Sequence, residues 1–381
     1  MTDSAVLGPE TYLDWNATAP LRPEAAAAMT AAMRHCGNPS SVHRWGRAAR
    51  ATVERARIAV AALVGAPAEA VIFVSGGTEA NHLAIRGAGR QRVLVSAVEH
   101  GSVLQAAPTA ELIPVDRDGV VRLDLLDLIL GKEPTPALVS VMFGNNETGV
   151  IQPVAEIAAV AHARGALFHC DAVQAAGKIS LDGSAIGADL VTLSAHKIGG
   201  PPGVGALLAR GGLDLTPLLR GGGQERGRRA GTENLSGIAG FAAAAAAAAA
   251  EIAVYDRVRV LRDALEAEIV AVAPEAAVLG NVAPRLPNTT AIAMPGTAAE
   301  TQIIALDLDG VMVSAGAACS SGKVGPSHVL KAMGLAPDIA ATTIRVSLGW
   351  ATTERDVSRF LQSWTALYRR RRGSTEEARA A

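Results

Sequence analysis

A chain of 381 residues, 49% hydrophobic and 19% charged, is too long for one compact core, suits two domains and excludes global disorder. A formal net charge of -1, with neither half strongly basic, argues against nucleic acid or an anionic membrane as the main partner, though local arginines can still gather around a small anion. Three scattered cysteines, Cys36, Cys170 and Cys319, suit cytosolic thiols better than a disulfide framework or a zinc cluster.

The N-terminal stretch MTDSAVLGPETYLDW has neither a basic leader nor an apolar core, so no signal peptide is expected. From there, β-branched runs alternate with helical stretches. Val71–Ser75, Val93–Ser96, Leu112–Val115, Leu138–Phe143, Leu167–Asp171, Leu190–Ser194 and Val204–Ala209 each predict a buried strand. Thr78–Arg86 and Val154–Arg164 predict helices between them. The alternation points to an α/β layered fold with a largely parallel sheet, whose ligands gather at the C-terminal strand ends.

The alanine run Ala242–Ala250 is too short and too weakly hydrophobic to span a bilayer and predicts a tightly packed helix. Beyond it, the pattern predicts a long helix over Glu251–Val272, a strand in PNTTAIAMPG and a helix over Glu300–Leu308. A strand over Thr343–Leu348 and a last helix over Glu354–Arg369 follow, with the charged tail from Arg369 expected to fray. Two domains result: a large one over residues 16–250, and a smaller α+β one over 251–381 joined by 1–15. A soluble, cytoplasmic protein is expected.

Several segments carry chemistry. In HCDAVQAAGK, Asp171 ends an apolar strand, and in LSAHKIGG the residues Ser194, His196 and Lys197 reach the same edge one strand later. A carboxylate and a lysine at one crevice suit pyridoxal 5'-phosphate (PLP), the lysine forming a Schiff base and the acid keeping the pyridine nitrogen protonated. A plain salt bridge is the alternative. In VSGGTEANHLAI, a strand runs through glycines, including Gly77, into Thr78 at a helix start. That geometry suits a phosphate, or an ordinary capped helix.

LLRGGGQERGRRAGTEN is a glycine- and arginine-rich loop in which Thr232 offers a hydroxyl. Cys319, in GAACSSGK, lies among small residues, where a thiol is reactive if its pKa is lowered. Arg345, in TIRVSLG, lies on a strand expected to be buried and needs an anionic partner, either a substrate carboxylate or a structural acid. His100 follows another strand end and could stack on a planar ring, shuttle protons or simply fill the core.

Taken together, these segments resemble the NifS/IscS-type cysteine desulfurases, PLP enzymes of fold type I (aspartate aminotransferase-like). The resemblance extends from LDWNATAP (Leu13–Pro20) through GNPSSVHRWG (Gly37–Gly46) to TIRVSLGWATTE (Thr343–Glu354). It implies a large domain with a mostly parallel seven-stranded sheet and a smaller α+β domain. It also implies that Lys197 is the Schiff-base lysine, that Asp171 faces the pyridine nitrogen, that Gln174 reaches the phenolic oxygen and that His100 stacks on the ring.

Gly77, Thr78, Ser194 and His196 match phosphate contacts, and Thr232 a contact to the phosphate of a neighbouring subunit, which implies a homodimer. Asn146 and Arg345 match residues that hold the amino acid. Cys319 matches the thiol that takes sulfur from L-cysteine as a persulfide and passes it to an acceptor such as an iron–sulfur scaffold protein. Trp15, Ala19 and Pro202 depart from the pattern of relatives. A selenocysteine lyase, a PLP aminotransferase and a metal scaffold built on His35, Cys36, His169 and Cys170 are the competing readings. The last is disfavoured because adjacent strand residues face opposite ways, and no metal is expected.

Overall fold

The computed structural model describes residues 10–316 and 327–380, with side chains to residue 372. Its centre is a seven-stranded sheet of Val71–Val74, Arg92–Ser96, Glu111–Ile113, Ala137–Met142, Leu167–Asp171, Leu190–Ser194 and Gly205–Ala209. The spatial order places Gly205–Ala209 between Val71–Val74 and Leu190–Ser194, antiparallel to both, and all other pairings are parallel. Six strands therefore run one way, and their C-terminal ends form one edge.

Why these runs become strands is visible in where alternate residues go. Val139, Val141, Phe168, Cys170, Val191 and Leu193 enter one apolar core. Leu138, Leu167 and Leu190 enter another, shared with Ala80, Leu83 and Ala84 of the helix Gly77–Gly87. A strand buried on both faces reads as a continuous apolar run, as these do. Glu111–Ile113 is the exception. It is shorter than expected and lies at the sheet edge, where Glu111 and Leu112 are exposed and, among the described residues, no further strand pairs with it.

The alanine-rich helix Leu235–Ala250 packs against Pro23–Met33 and Arg44–Ala62. Small residues permit the approach, since a Cβ on Gly240 would come within 2.6 Å of Met29 Cγ. The next helix starts at Val254 rather than Glu251, after a 74° bend. At the bend, the Glu251 carboxylate accepts a 2.7 Å hydrogen bond from buried Arg22 instead of continuing a helical face. Among the described residues, no single helix is long and apolar enough to cross a membrane.

A third core joins Leu13 to Tyr255, Val258, Ile292, Val346, Phe360 and Trp364. Around it, an antiparallel sheet runs in the order Ser314–Ala315, Thr343–Ser347, Thr289–Ala293, Ala277–Val278. Thr11–Tyr12 pairs in parallel with Val311–Met312. The last helix extends over Glu354–Ala380 and does not stop at Arg369. Arg371 donates to Gly296 O, and the Arg372 guanidinium lies over the Tyr368 ring, so the first arginines of the tail have partners.

Candidate active site

The C-terminal edge of the large sheet opens into a cavity of about 310 Å³. Gly77, Thr78, His100, Asn146, Asp171, Gln174, Ser194, His196, Lys197 and Arg345 all line it, although they come from segments far apart in the chain. Asp171 is the last residue of its strand, and Ser194 is the last of the next. Lys197 follows on a single 3-10 turn. Its Nζ donates to the main-chain oxygens of Asn16 (2.5 Å) and Ala17 (2.9 Å).

Asp171 is held firmly. Its Oδ2 accepts from Asn81 Nδ2 at 2.8 Å and its Oδ1 from Val173 N at 3.0 Å. Asn81 in turn donates to Ser102 Oγ. His100 caps the short helix Gly101–Ala106, with Nδ1 accepting from Ser102 N at 3.1 Å. A backbone N–H can only donate, so neutral His100 carries its proton on Nε2.

Gly77 and Thr78 open the helix Gly77–Gly87, whose first N–H groups have no intrahelical acceptor. Beside them, burial and the nearby Lys197 charge push His196 down to about 4, so it is neutral near pH 7.

Arg345 meets one of the two alternatives raised by its sequence, the structural acid. Its guanidinium donates to Asp14 Oδ1 at 2.6 Å and to Asn146 O at 3.2 Å, while its buried Nε has no hydrogen-bond partner in the structure. The structural acid is therefore Asp14, and the same side chain still lines the cavity.

Thr232 lies elsewhere. It lines a separate pocket of about 110 Å³ with Ser75, Glu225 and Arg229. None of the loop's arginines lines the main cavity, and Arg229 instead pairs with Glu79 at 3.0 Å. Cys319 lies outside the described residues. Cys36 is exposed and Cys170 buried. His169, next to Cys170, has its ring nitrogens 2.8 Å from Ser140 Oγ and 3.0 Å from Thr192 Oγ1. Trp15 packs edge-on against Trp350 and Ala19 is buried, whereas Pro202 is exposed.

Sequence reasoning missed Asn16, Asn81 and Lys178. Asn16 is 1% exposed, and its amide, carbonyl and N–H bind residues from five distant segments: Asn146, Gln174 with Lys178, Lys197, Asn288 with Thr289, and Ser347. The available signal was its place in LDWNATAP, a polar residue directly after Trp15.

The donor set fits PLP. An amine, a carboxylate fixed by two donors, and a bare helix start flanked by a hydroxyl and a neutral histidine face one cavity. They match an aldehyde, a ring nitrogen and a phosphate.

The aminotransferase class-V family matches residues 11–360. A cysteine desulfurase of Cereibacter sphaeroides is 46% identical over 369 residues, 92% of this chain and 94% of that protein. The IscS cysteine desulfurase of Dictyoglomus turgidum is 40% identical over 364 residues, 92% of each. Among solved structures, a NifS-like protein from Rickettsia africae superposes with a TM-score of 0.88 at 35% identity, covering 94% of this chain and 99% of that one. SspA in complex with cysteine gives a TM-score of 0.77 at 27% identity, covering 89% and 98%. The chain belongs to the class-V aminotransferase family and, within it, to the PLP-dependent cysteine desulfurases.

Proposed function

We propose that the protein takes sulfur from L-cysteine, releasing L-alanine, with Lys197 as the cofactor lysine and proton carrier and Cys319 as sulfur acceptor. The observation that carries this reading is the convergence of Lys197, Asp171, His100 and Arg345 on one cavity. Bound there, PLP supplies an electron sink for the substrate's α-carbon.

The residues divide the remaining work. Arg345 grips the substrate carboxylate, with Asn146 beside it. Asp171 keeps the ring nitrogen protonated, and Gln174 donates to the phenolic oxygen. His100 stacks on the ring and carries protons to and from sulfur. Gly77, Thr78, Ser194 and His196 hold the phosphate. Lys197 Nζ removes the α-proton, the usual task of a positioned amine. The Cys319 thiolate then attacks the substrate sulfur: an S–S bond forms, the carbon–sulfur bond breaks and its electron pair stays with the carbon fragment.

The enzyme works as a homodimer in the cytoplasm, the reducing compartment in which a thiol nucleophile persists. Its persulfide passes to an acceptor protein of the iron–sulfur scaffold kind.

The test is the visible spectrum of the PLP-loaded protein before and after L-cysteine, with alanine and sulfide assayed alongside. The band shifts and alanine appears. Cys319→Ala keeps the cofactor and binds cysteine but releases no sulfide. Full desulfuration by that variant, or a folded wild type that takes up no PLP, defeats the reading.

A further inference from the structure

Lys178 is 3% exposed and lies four residues beyond Gln174, in the turn that follows Asp171. Buried lysines are normally paired with a carboxylate. Among the described residues, Lys178 forms no ion pair. Its Nζ instead meets two amide oxygens, Asn16 Oδ1 at 2.9 Å and Gln174 Oε1 at 2.8 Å. The charges that act on it have its own sign, Lys197 and Arg345. Together with burial, which is the larger effect, they hold it well below the ordinary lysine value.

A lysine nitrogen, charged or neutral, has at least two N–H bonds to give, one for each of the amide oxygens it faces. For Asn16 this orientation is doubly fixed, because Oδ1 also accepts from Asn288 Nδ2 and Nδ2 donates to Asn146 O and Thr289 Oγ1. For Gln174 it turns Nε2 the other way. One of its N–H bonds goes to Asn16 O at 3.0 Å, which leaves the second for the cavity that Gln174 lines. The same Asn16 oxygen receives Lys197.

We propose that Lys178 is a positioning residue of the cofactor site: it locks the Gln174 amide with its nitrogen toward the cavity and holds Asn16 so that its carbonyl receives Lys197. Without Lys178, only the Nε2–H bond to Asn16 O opposes a turn of the Gln174 amide that brings its oxygen to the cavity. A ring oxygen there then loses a donor and becomes more basic. The inference rests on the reading of this cavity as the PLP site.

The experiment is a pH titration of the visible cofactor band in wild type, Lys178→Met, Gln174→Ala and the double variant, with PLP affinity measured in parallel. The groups around the site, Lys197, Arg345, Asp14, His100, His196 and Asp171, stay unchanged. Both single variants raise the apparent pKa of the band by about one unit and weaken PLP binding about tenfold. The double variant shifts the band no further than Gln174→Ala alone, because Lys178 reaches the ring oxygen only through that amide, whereas its hold on Asn16 acts on the free Lys197 amine.

A folded Lys178→Met with wild-type band and affinity overturns the proposal, and so do additive shifts. If Lys178→Met does not fold, Lys178→Gln takes its place. A smaller shift in the same direction supports the proposal, and no shift overturns it. A wild type without a cofactor band defeats the functional reading itself, a separate outcome.

Discussion

His169 stands two residues before Asp171 on the same strand face, so it shares the environment that sets the site. Burial pushes its pKa down to about 4, and the Asp171 charge only partly opposes this. The ring is therefore neutral when folded, between the Ser140 and Thr192 hydroxyls. The unfolded chain takes up a proton near pH 6.5 that the folded protein refuses until about 4. Its stabilising contribution is thus complete above pH 6.5 and is lost as pH falls through that window. Glu99 has the opposite sign. Burial foremost, then Asp171, raises its carboxyl well above the ordinary value, so its contribution is lost as pH rises. His169 has to be isolated as a difference. His169→Gln loses about 2 kcal/mol less stability than wild type between pH 7.5 and pH 5. Urea unfolding at both values checks this, and an unchanged difference would show that His169 takes its proton in the folded state.

At the scale of elements, the site depends on strands that end together, and Gly205 shows how tightly. It pairs with both Val74 and Ser194, the residues from which the chain leaves for Gly77 and for Lys197. A Cβ there would lie 2.7 Å from Gly76 C and 2.8 Å from Leu193 O, both main-chain atoms that cannot rotate away. Gly205→Ala costs about 1–3 kcal/mol and weakens PLP binding, since the strand ends move apart. Thermal melting and PLP titration measure the two effects, and lowered stability with unchanged affinity would separate Gly205 from the cofactor cradle. The strands themselves were legible because burial on both faces demands apolar runs. Asp171, Ser194 and Lys197 were legible because polar residues that end such runs stand at the ligand edge. Asn16, Asn81 and Lys178 were not. Their work depends on partners such as Asn288, Asp171 and Gln174, brought close by the fold. A lone asparagine, or a lysine after Ala-Ala-Gly, reads as a turn residue. Leu112 misled in the other direction, because an apolar run does not reveal that its strand lies at the sheet edge.

At the scale of the molecule, one chain gathers ten of the expected residues around a single cavity, and Thr232 stands apart in the other pocket. Its loop is not slack. Glu225 is buried, accepts two hydrogen bonds from Arg57 and one from Phe73 N, and together with Arg226 adopts positive φ (45° and 58°) that few such residues tolerate. Arg229 fixes the far side to Glu79, at the helix start that faces the cavity. A loop held at both ends, with Thr232 exposed beyond them, suits delivery of a hydroxyl to a second copy rather than a swing back to its own cavity. The consequence is arithmetic. In the proposed homodimer, Lys197→Ala abolishes turnover in its own subunit but still presents Thr232, and Thr232→Ala weakens phosphate binding only in the site opposite. Random pairing of the two variants makes half the dimers mixed, each with one intact and one doubly defective site. At limiting PLP, the co-expressed pair recovers about a quarter of wild-type turnover, although each variant alone falls well below that. Turnover no higher than the mean of the two separate variants would mean that each chain builds its site alone.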